Sequence, residues 1–366
     1  MNTENLHELI NRYENNYALV NDSKKDEKFK WGAVRGFRDV WFSDSASSMT
    51  FAQLFDAATK RSSVLINNSM ISPTTGIVKM AEQRPKEVER LVREVLFAEY
   101  ESIADLQNNM DGFLEEIEKI RQDLFPRFYR YKQDRHAASC YLAFYAPEEH
   151  FIYRYSEAEE FAKYIEFGKD LGAGVDFKLE NYYELAEIVV NALKEHPSLI
   201  EKHDALFRDN DHYYYDKSLH LMAFDLMYCC RCYNFYTGLS HAKKKDSIKA
   251  YTAQQLHEKE EAERQAKITE LEDAIHSLDV QMEPFEEISL IGVEVTQKMY
   301  GNGTVIAQEG SKITVQFPAK TTAYFINKQY TMRPRFENDE EIVEAFTELD
   351  NLKAQKAKLE KELEQL

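Results

Sequence analysis

Two heptad repeats near the C-terminus constrain the fold of this chain more than any other feature of its sequence. The first repeat spaces its apolar residues alternately three and four apart: Ile268, Leu271, Ile275, Leu278 and Met282. The second repeat follows the same pattern and is interrupted only by Lys356: Ile342, Ala345, Leu349, Leu352, Leu359, Leu363 and Leu366. Because this spacing keeps apolar side chains on one seam of a helix, each repeat predicts a coiled-coil helix.

Between the repeats lies a segment of different chemistry. Residues 291–336 are rich in β-branched and aromatic side chains, and Gly301-Asn302-Gly303 and Glu309-Gly310 are typical of turns. This order predicts an antiparallel coiled coil, with helices over 250–287 and 338–366, that carries a small β-barrel over 290–336. About 25 residues of helix give a stalk on the order of 40 Å. Pairing of each helix with a second copy of the chain stays open, and a homodimer through the coiled coil is compatible with the hairpin.

The β-rich segment resembles the small SH3-like, Tudor-like domain at the C-terminus of UvrD/PcrA-type DNA-repair helicases. The family pattern reads V-x-H-x-x-F/Y-G-x-G-x-V, then a short turn and V-x-F, and this chain has Gln297 in place of the histidine. The other positions are matched by Val295, Tyr300, Gly301, Gly303, Val305, Val315 and Phe317. Gly301 and Gly303 permit a tight turn that a side chain would block.

The resemblance implies a small barrel that docks to nucleic acid or to RNA polymerase. It does not extend to the helicase motor, because the chain has no G-x-x-x-x-G-K-[ST] phosphate loop. At the end of the barrel, Lys328, Arg333 and Arg335 accompany Tyr330 and Phe336. Because Lys and Arg side chains bind backbone phosphates and aromatic side chains stack on bases, these residues are candidates for nucleic-acid binding. The alternative is a solvated edge with two core rings.

The first two thirds of the chain predict a helical domain. Gly (12) and Pro (8) are scarce for 366 residues, which favours helices over loops. We expect a polar N-terminal helix within residues 1–30 and a helical sensing or binding domain over 31–245. Phe151-Ile152-Tyr153-Arg154-Tyr155 indicates one strand, as a minor β element. The predicted fold class is therefore mainly α, followed by the coiled coil and its barrel.

Residues 127–165 are similar to the accessory N-terminal regions of McrB-like restriction proteins. The similarity rests on Arg135-His136-Ala137-Ala138-Ser139-Cys140-Tyr141-Leu142, on Pro147, and on the segment Phe151–Tyr155 that follows. It implies a substrate-sensing role in restriction or phage defence, and it implies no chemistry.

Part of this region is conspicuously basic and aromatic. Candidate nucleic-acid ligands alternate here with Phe128, Tyr129 and Tyr131: Arg127, Arg130, Lys132, Arg135 and His136. The net charge of −18 excludes a generally cationic coat but leaves room for such a local patch. The alternative is that the rings are core and the cations pair with nearby acids. A second basic run comprises Lys24, Lys25, Lys28, Lys30, Arg35 and Arg38.

No complete catalytic signature occurs in the sequence. His212, Asp216 and His220 are spaced four apart and would share one face if they were helical, where they could bind a metal. Cys140 lies four residues after His136, as a thiolate pair would, but we favour the interpretation that both belong to a core helix with small residues. We therefore assign no catalytic residue, no metal site and no cofactor.

The function predicted from these patterns is a non-enzymatic adaptor that binds nucleic acid or a DNA-processing or transcription protein, in phage defence or DNA processing. The N-terminus lacks a signal peptide and the apolar runs are too short for a bilayer, so we expect a cytoplasmic protein without membrane contact. Two alternatives stay open: a metal-dependent, nuclease-like enzyme with its site near residues 208–220, and a transcription adaptor whose barrel grips RNA polymerase.

Overall fold

The computed structural model describes residues 1–328 and 332–366, which form two compact units. Unit 1 comprises Met1–Ala253 and unit 2 comprises Gln254–Leu366. The described residues are mainly helical, with one four-stranded antiparallel sheet near the C-terminus. The prediction of a mainly α chain with a small β segment late in the sequence is confirmed at this level. None of the helices in the described residues is long and apolar enough to cross a membrane.

Unit 1 is built from helices joined by short connections. They are α1 (Thr3–Val20), α2 (Phe29–Trp41), α3 (Phe51–Thr59), α4 (Ser63–Ile66), α5 (Pro73–Gln83), α6 (Pro85–Arg90), α7 (Ile103–Leu124), α8 (Arg135–Tyr145), α9 (Tyr155–Tyr164), α10 (Leu179–Lys194), α11 (Pro197–Phe207), α12 (His220–Cys232) and the first residues of α13 (Lys244–Glu286). Short helical turns occur at Asp44–Ser48, Leu91–Leu96, Tyr129–Tyr131 and Gly174–Asp176.

The core of unit 1 is a single aromatic-rich cluster. In α1, Leu6, Leu9, Tyr13 and Tyr17 recur at helical spacing and are all buried in it. Ten residues of α12 are buried, so this helix presents almost no polar face and lies centrally, against α1, α9 and α10. The N-terminal helix therefore shares the core of the helical domain that follows it.

One predicted element of unit 1 is wrong. Every residue of unit 1 is described, and none of them forms a strand; residues 151–154 are neither helix nor strand, and α9 begins at Tyr155. Phe151, Ile152 and Tyr153 are all buried, without the alternation of a sheet strand. Side chains satisfy this backbone instead: the Ser139 hydroxyl accepts from the Tyr153 N–H at 2.9 Å, and the Tyr182 hydroxyl donates to the Ile152 carbonyl.

A closed network of charged and phenolic groups lies inside unit 1. Lys30 is fully buried and donates to Glu27 Oε2 and to Asp225 Oδ1, both at 2.5 Å. The second oxygen of each carboxylate accepts a phenolic hydroxyl at 2.6 Å, from Tyr233 on Glu27 and from Tyr13 on Asp225. Lys30 is thus no part of a surface basic patch, because its charge is used to join α1, α2 and α12.

Unit 2 contains the sheet and two long helical segments. Its strands are β1 (Glu294–Gln297), β2 (Gly301–Glu309), β3 (Lys312–Gln316) and β4 (Thr321–Phe325), paired in chain order, and its last helix is α14 (Asp339–Leu363). The first turn differs from the prediction. Gly301 and Gly303 lie in β2, opposite Gln297 and Val295, and the chain reverses at Lys298–Tyr300. A Cβ on Gly303 would lie 2.6 Å from the Phe317 ring, so this close packing requires glycine.

The sheet and the helices of unit 2 share one core. It contains Leu278 and Met282 from α13, Val305 and Val315 from the sheet, and Leu349 from α14, among others. The Lys356 ammonium lies 2.5 Å from Asp279 Oδ1, and the Lys353 ammonium lies 3.9 Å from Glu286 Oε1. From the first of these contacts to the second, the residue number rises along α13, from Asp279 to Glu286, and falls along α14, from Lys356 to Lys353. The two helices therefore run in opposite directions.

Candidate nucleic-acid interface

A cleft with a volume of about 970 Å³ lies in unit 1. Its walls are one face of α7, the end of α4, the starts of α8 and α9, and the turn at Gly174–Asp176. Four lining side chains are basic and four are acidic: Lys119, Lys132, Arg135, Arg154, Asp111, Glu115, Glu118 and Asp134. These residues come from segments that are distant in the sequence. Of the eight, the sequence alone identified only Lys132 and Arg135 as candidates.

Arg135 is held at the wall of the cleft by its neighbours. Its guanidinium donates to Asp111 Oδ1 at 2.6 Å and to the Gly174 carbonyl, which ties α8 to α7 and to the turn after α9. The Nε atom of Arg135 is shielded from solvent and has no hydrogen-bond partner within residues 1–328 and 332–366. One donor of a fixed guanidinium is therefore unused, which is rare for a buried polar atom.

His136 forms part of the same wall but is a fixed structural ring. Its Nδ1 lies 2.8 Å from the Tyr153 carbonyl oxygen and its Nε2 lies 3.0 Å from the Leu65 carbonyl oxygen. The Cys140 sulfur is 3.8 Å from Nδ1. Burial raises the pKa of the Cys140 thiol well above its usual range, so this pair does not present a thiolate nucleophile.

The acids of the cleft are engaged by other protein groups. Glu118 accepts two hydrogen bonds of 2.8 Å from the buried Arg121 guanidinium, and these bonds lower the pKa of the carboxyl. Asp134 caps α8 by accepting from the Ala137 N–H at 2.8 Å. Glu115 lies 2.8 Å from the Lys119 ammonium. Together with the Asp111–Arg135 pair, these contacts offset the negative charge within the wall.

Lys132 and Arg154 are the cations of the cleft that its acids engage least, whereas Lys119 is paired with Glu115 and Glu116. The Lys132 ammonium lies 5.3 Å from the centre of the Tyr129 ring. Arg154 Nε is 3.5 Å from Glu157 Oε1, but that oxygen is also approached to 3.3 Å by Arg231. Arg154 precedes α9, whose first turn has no side-chain cap among the residues the structure describes. Free main-chain donors thus lie beside the Arg154 charge.

An exposed loop carries further rings and cations next to Lys132. We call residues 127–131 the basic loop. Phe128 and Tyr129 are 56% and 58% exposed, so these two rings are not core, whereas Tyr131 stacks on Phe128 with ring centres 5.6 Å apart. Arg127 is exposed, and Arg130 is exposed with one nitrogen 3.2 Å from the Ser72 hydroxyl.

The basic loop is fixed on α5. The Ser72 N–H donates to the Arg130 carbonyl at 2.6 Å, and the Gln133 amide donates to the Pro73 carbonyl at 2.9 Å. A Cβ on Gly76 would meet the Tyr131 backbone at 2.5 Å, so the helix and the loop approach as closely as only glycine allows. The exposed rings are therefore presented by a well-anchored backbone.

The basic candidates of unit 2 are in a different situation. Arg333 makes two hydrogen bonds to Asp339, of 2.6 and 2.7 Å, and is committed to that carboxylate. The Lys328 ammonium lies 4.6 Å from the centre of the Phe325 ring, and the Arg335 side chain is exposed. Phe336 is buried in the core. Tyr330 lies outside the described residues, so the predicted set is not placed in full.

The predicted helical face at residues 212–220 does not form. Residues 210–219 are not helical, and Leu219 has a positive φ of 65° immediately before α12. Asp216 is buried and accepts from the Met222 N–H at 3.0 Å; burial raises the pKa of its carboxyl to about 6. His220 stacks on Phe151, and His212 is exposed. Among the described residues, no group of three or more His, Cys, Asp or Glu side chains is placed to hold a metal.

Comparison of the chain with protein-family models, with curated proteins and with solved structures found no match.

Proposed function

We propose that unit 1 binds single-stranded nucleic acid, with the basic loop and the cleft as one continuous interface. The observation that supports this most is the exposure of Phe128 and Tyr129 between Arg127 and Arg130, next to a cleft of about 970 Å³. In a chain of net charge −18, this is a place where cations and open ring faces occur together. Base stacking on an aromatic side chain contributes roughly 1–3 kcal/mol per base.

Single strands fit this interface better than duplex does. Unpaired bases can stack on the faces of the Phe128 and Tyr129 rings. The bases of a duplex are already paired and stacked on one another, so they are not free for this contact. The loop is short and carries two exposed arginines, so it neutralises few phosphates. We therefore expect moderate affinity that falls as the salt concentration rises.

Unit 2 would act as the docking module of the adaptor. We propose that α13 and α14 form the predicted antiparallel coiled coil and that β1–β4 form the predicted SH3/Tudor-like barrel. Their shared core, the opposite helix directions and the resemblance to UvrD/PcrA-type helicases support this. The partner would be a DNA-processing protein, in keeping with the McrB-like resemblance of residues 127–165 and a phage-defence setting. RNA polymerase is the alternative partner of the same module.

The binding proposal is tested with the full-length chain and a short fluorescent single-stranded oligonucleotide, by fluorescence anisotropy at several salt concentrations. The double variant Arg127→Ala/Arg130→Ala should weaken binding by about tenfold and should reduce the salt dependence. Lys24→Ala/Lys25→Ala removes the same charge from the loop between α1 and α2 and serves as the matched control. The proposal fails if the wild-type chain does not bind, or if the control loses as much affinity as the loop variant.

A further inference from the structure

The cleft differs from the basic loop in shape and in the kind of charge that it offers. A volume of about 970 Å³ is typical of pockets that enclose one small ligand rather than a long strand. The basic loop lies at its edge, because Lys132 lines the cleft and follows the loop directly in the chain. A strand that runs along the loop would therefore lead into the cleft, whose volume accommodates only its last one or two nucleotides.

The donors in this space suit a phosphate. Arg135 is fixed in the wall by Asp111, so its positive charge is held at the edge of the cleft. Arg154 stands at the start of α9, and Glu157, its nearest acid, is shared with Arg231. Lys132 adds an ammonium to the lining of the cleft. Guanidinium groups are well matched to phosphate oxygens, which they bind through two parallel hydrogen bonds.

Resting on the proposed function, we infer that the cleft recognises the terminal phosphate of a single strand. A phosphate monoester carries about 1.5 to 2 negative charges at neutral pH, whereas each internal phosphodiester carries one. The paired acids of the wall leave Arg154 and Lys132 to face this extra charge. The basic loop then holds the nucleotides that follow, through contacts that do not depend on the strand end.

The test compares three forms of one short oligonucleotide with the full-length chain: a 5′-phosphate, a 3′-phosphate and hydroxyls at both ends. A hydroxyl-ended strand that is longer by two nucleotides controls for total charge. We expect one of the phosphate-bearing forms to bind about tenfold more tightly than both hydroxyl-ended strands. The phosphate-bearing form with the higher affinity identifies which end of the strand enters the cleft.

Variants locate the effect. Lys132→Gln/Arg154→Gln should abolish the preference for the phosphate end, so that the phosphate-bearing and the hydroxyl-ended strands bind this variant equally. Arg127→Gln/Arg130→Gln removes the same charge and should weaken all strands equally, with the preference retained. The double variant Lys132→Gln/Arg154→Lys keeps the positive charge at position 154. It should show part of the preference for the phosphate end that Lys132→Gln/Arg154→Gln lacks.

The outcomes separate this inference from the proposed function. Equal binding of all forms overturns end recognition and leaves single-strand binding standing. A preference that survives in the Lys132→Gln/Arg154→Gln variant overturns the assignment to the cleft. Absence of binding to every strand overturns both.

Discussion

Lys30 shows how strongly one residue can constrain unit 1. Burial alone would lower the pKa of its ammonium, but the attraction of Asp225 and Glu27 outweighs this and raises it, so the charge is retained. The third face of the ammonium lies 4.1 Å from the centre of the Tyr228 ring. All of its donors are thereby satisfied, as a buried charge requires.

Removing this cation should leave two buried carboxylates without a counter-charge. We expect Lys30→Met to destabilise unit 1 by roughly 3–5 kcal/mol. Both tryptophans of the chain, Trp31 and Trp41, are buried in unit 1, so denaturant unfolding followed by tryptophan fluorescence reports on this unit. Lys24→Met, at an exposed position, is the control and should change stability by less than about 0.5 kcal/mol. Equal stability of the two variants would refute this account of the network.

Two buried histidines should make unit 1 sensitive to acid. Burial lowers the pKa of His150 and of His203 from 6.5 to about 4. Both are neutral in the folded state at neutral pH. As the pH falls from 6.5 towards 4, only the unfolded chain takes up these protons, so the free energy of unfolding decreases over this range and is unaffected by these histidines above it. Asp216 acts in the opposite direction, because its pKa of about 6 makes its contribution decline as the pH rises from about 4 to 6.

The sign of this effect can be measured on His203, whose ring lies 5.8 Å from that of Trp31. Between pH 6.5 and 4, each neutral histidine should contribute a slope of at most about 1.4 kcal/mol per pH unit. His203→Gln should lose less stability over this range than the wild-type chain, as followed by tryptophan fluorescence. An unchanged slope would show that His203 does not titrate on unfolding.

At the scale of elements, regular patterns predicted the structure well and irregular segments did not. The heptads placed helices on both sides of the sheet, since apolar spacing alone determines which face of a helix is buried. Phe151–Tyr155 has strand-like composition, but side chains from Ser139 and Tyr182 satisfy its backbone, and such distant partners leave no local signal. The same holds for the cleft, where Asp111 and Arg154 join Arg135 only through the tertiary fold.

The close approach at Gly303 gives a prediction for unit 2. A valine there would collide with the Phe317 ring and with Val315, whose Cγ1 lies 2.8 Å from the position of a Cβ. We expect Gly303→Val to accelerate amide hydrogen exchange across β1–β4, measured by mass spectrometry, while the tryptophan-monitored stability of unit 1 is unchanged. Asn302→Val, at the neighbouring exposed position, is the control. Unchanged protection of β2 and β3 in Gly303→Val would contradict this packing argument.

At the scale of the whole molecule, the proposed binding of nucleic acid depends on where a small number of cations are left unpaired. The chain carries a net charge of −18, so a nucleic acid is repelled by most of the surface and attracted only locally. Composition therefore excluded a broad basic coat, and the basic segment 127–136 remained as the candidate interface. The sequence could not show which of its cations are consumed by the fold, as Arg135 is by Asp111.

The central claim is that the basic loop and the cleft of unit 1 form one interface for a single strand. The most direct measurement is hydrogen exchange of the full-length chain with and without a saturating single-stranded oligonucleotide. The account predicts slower exchange in residues 127–136, 153–157 and 174–177, with α11 unaffected. Protection that falls elsewhere, or no protection at saturating strand concentration, would contradict it.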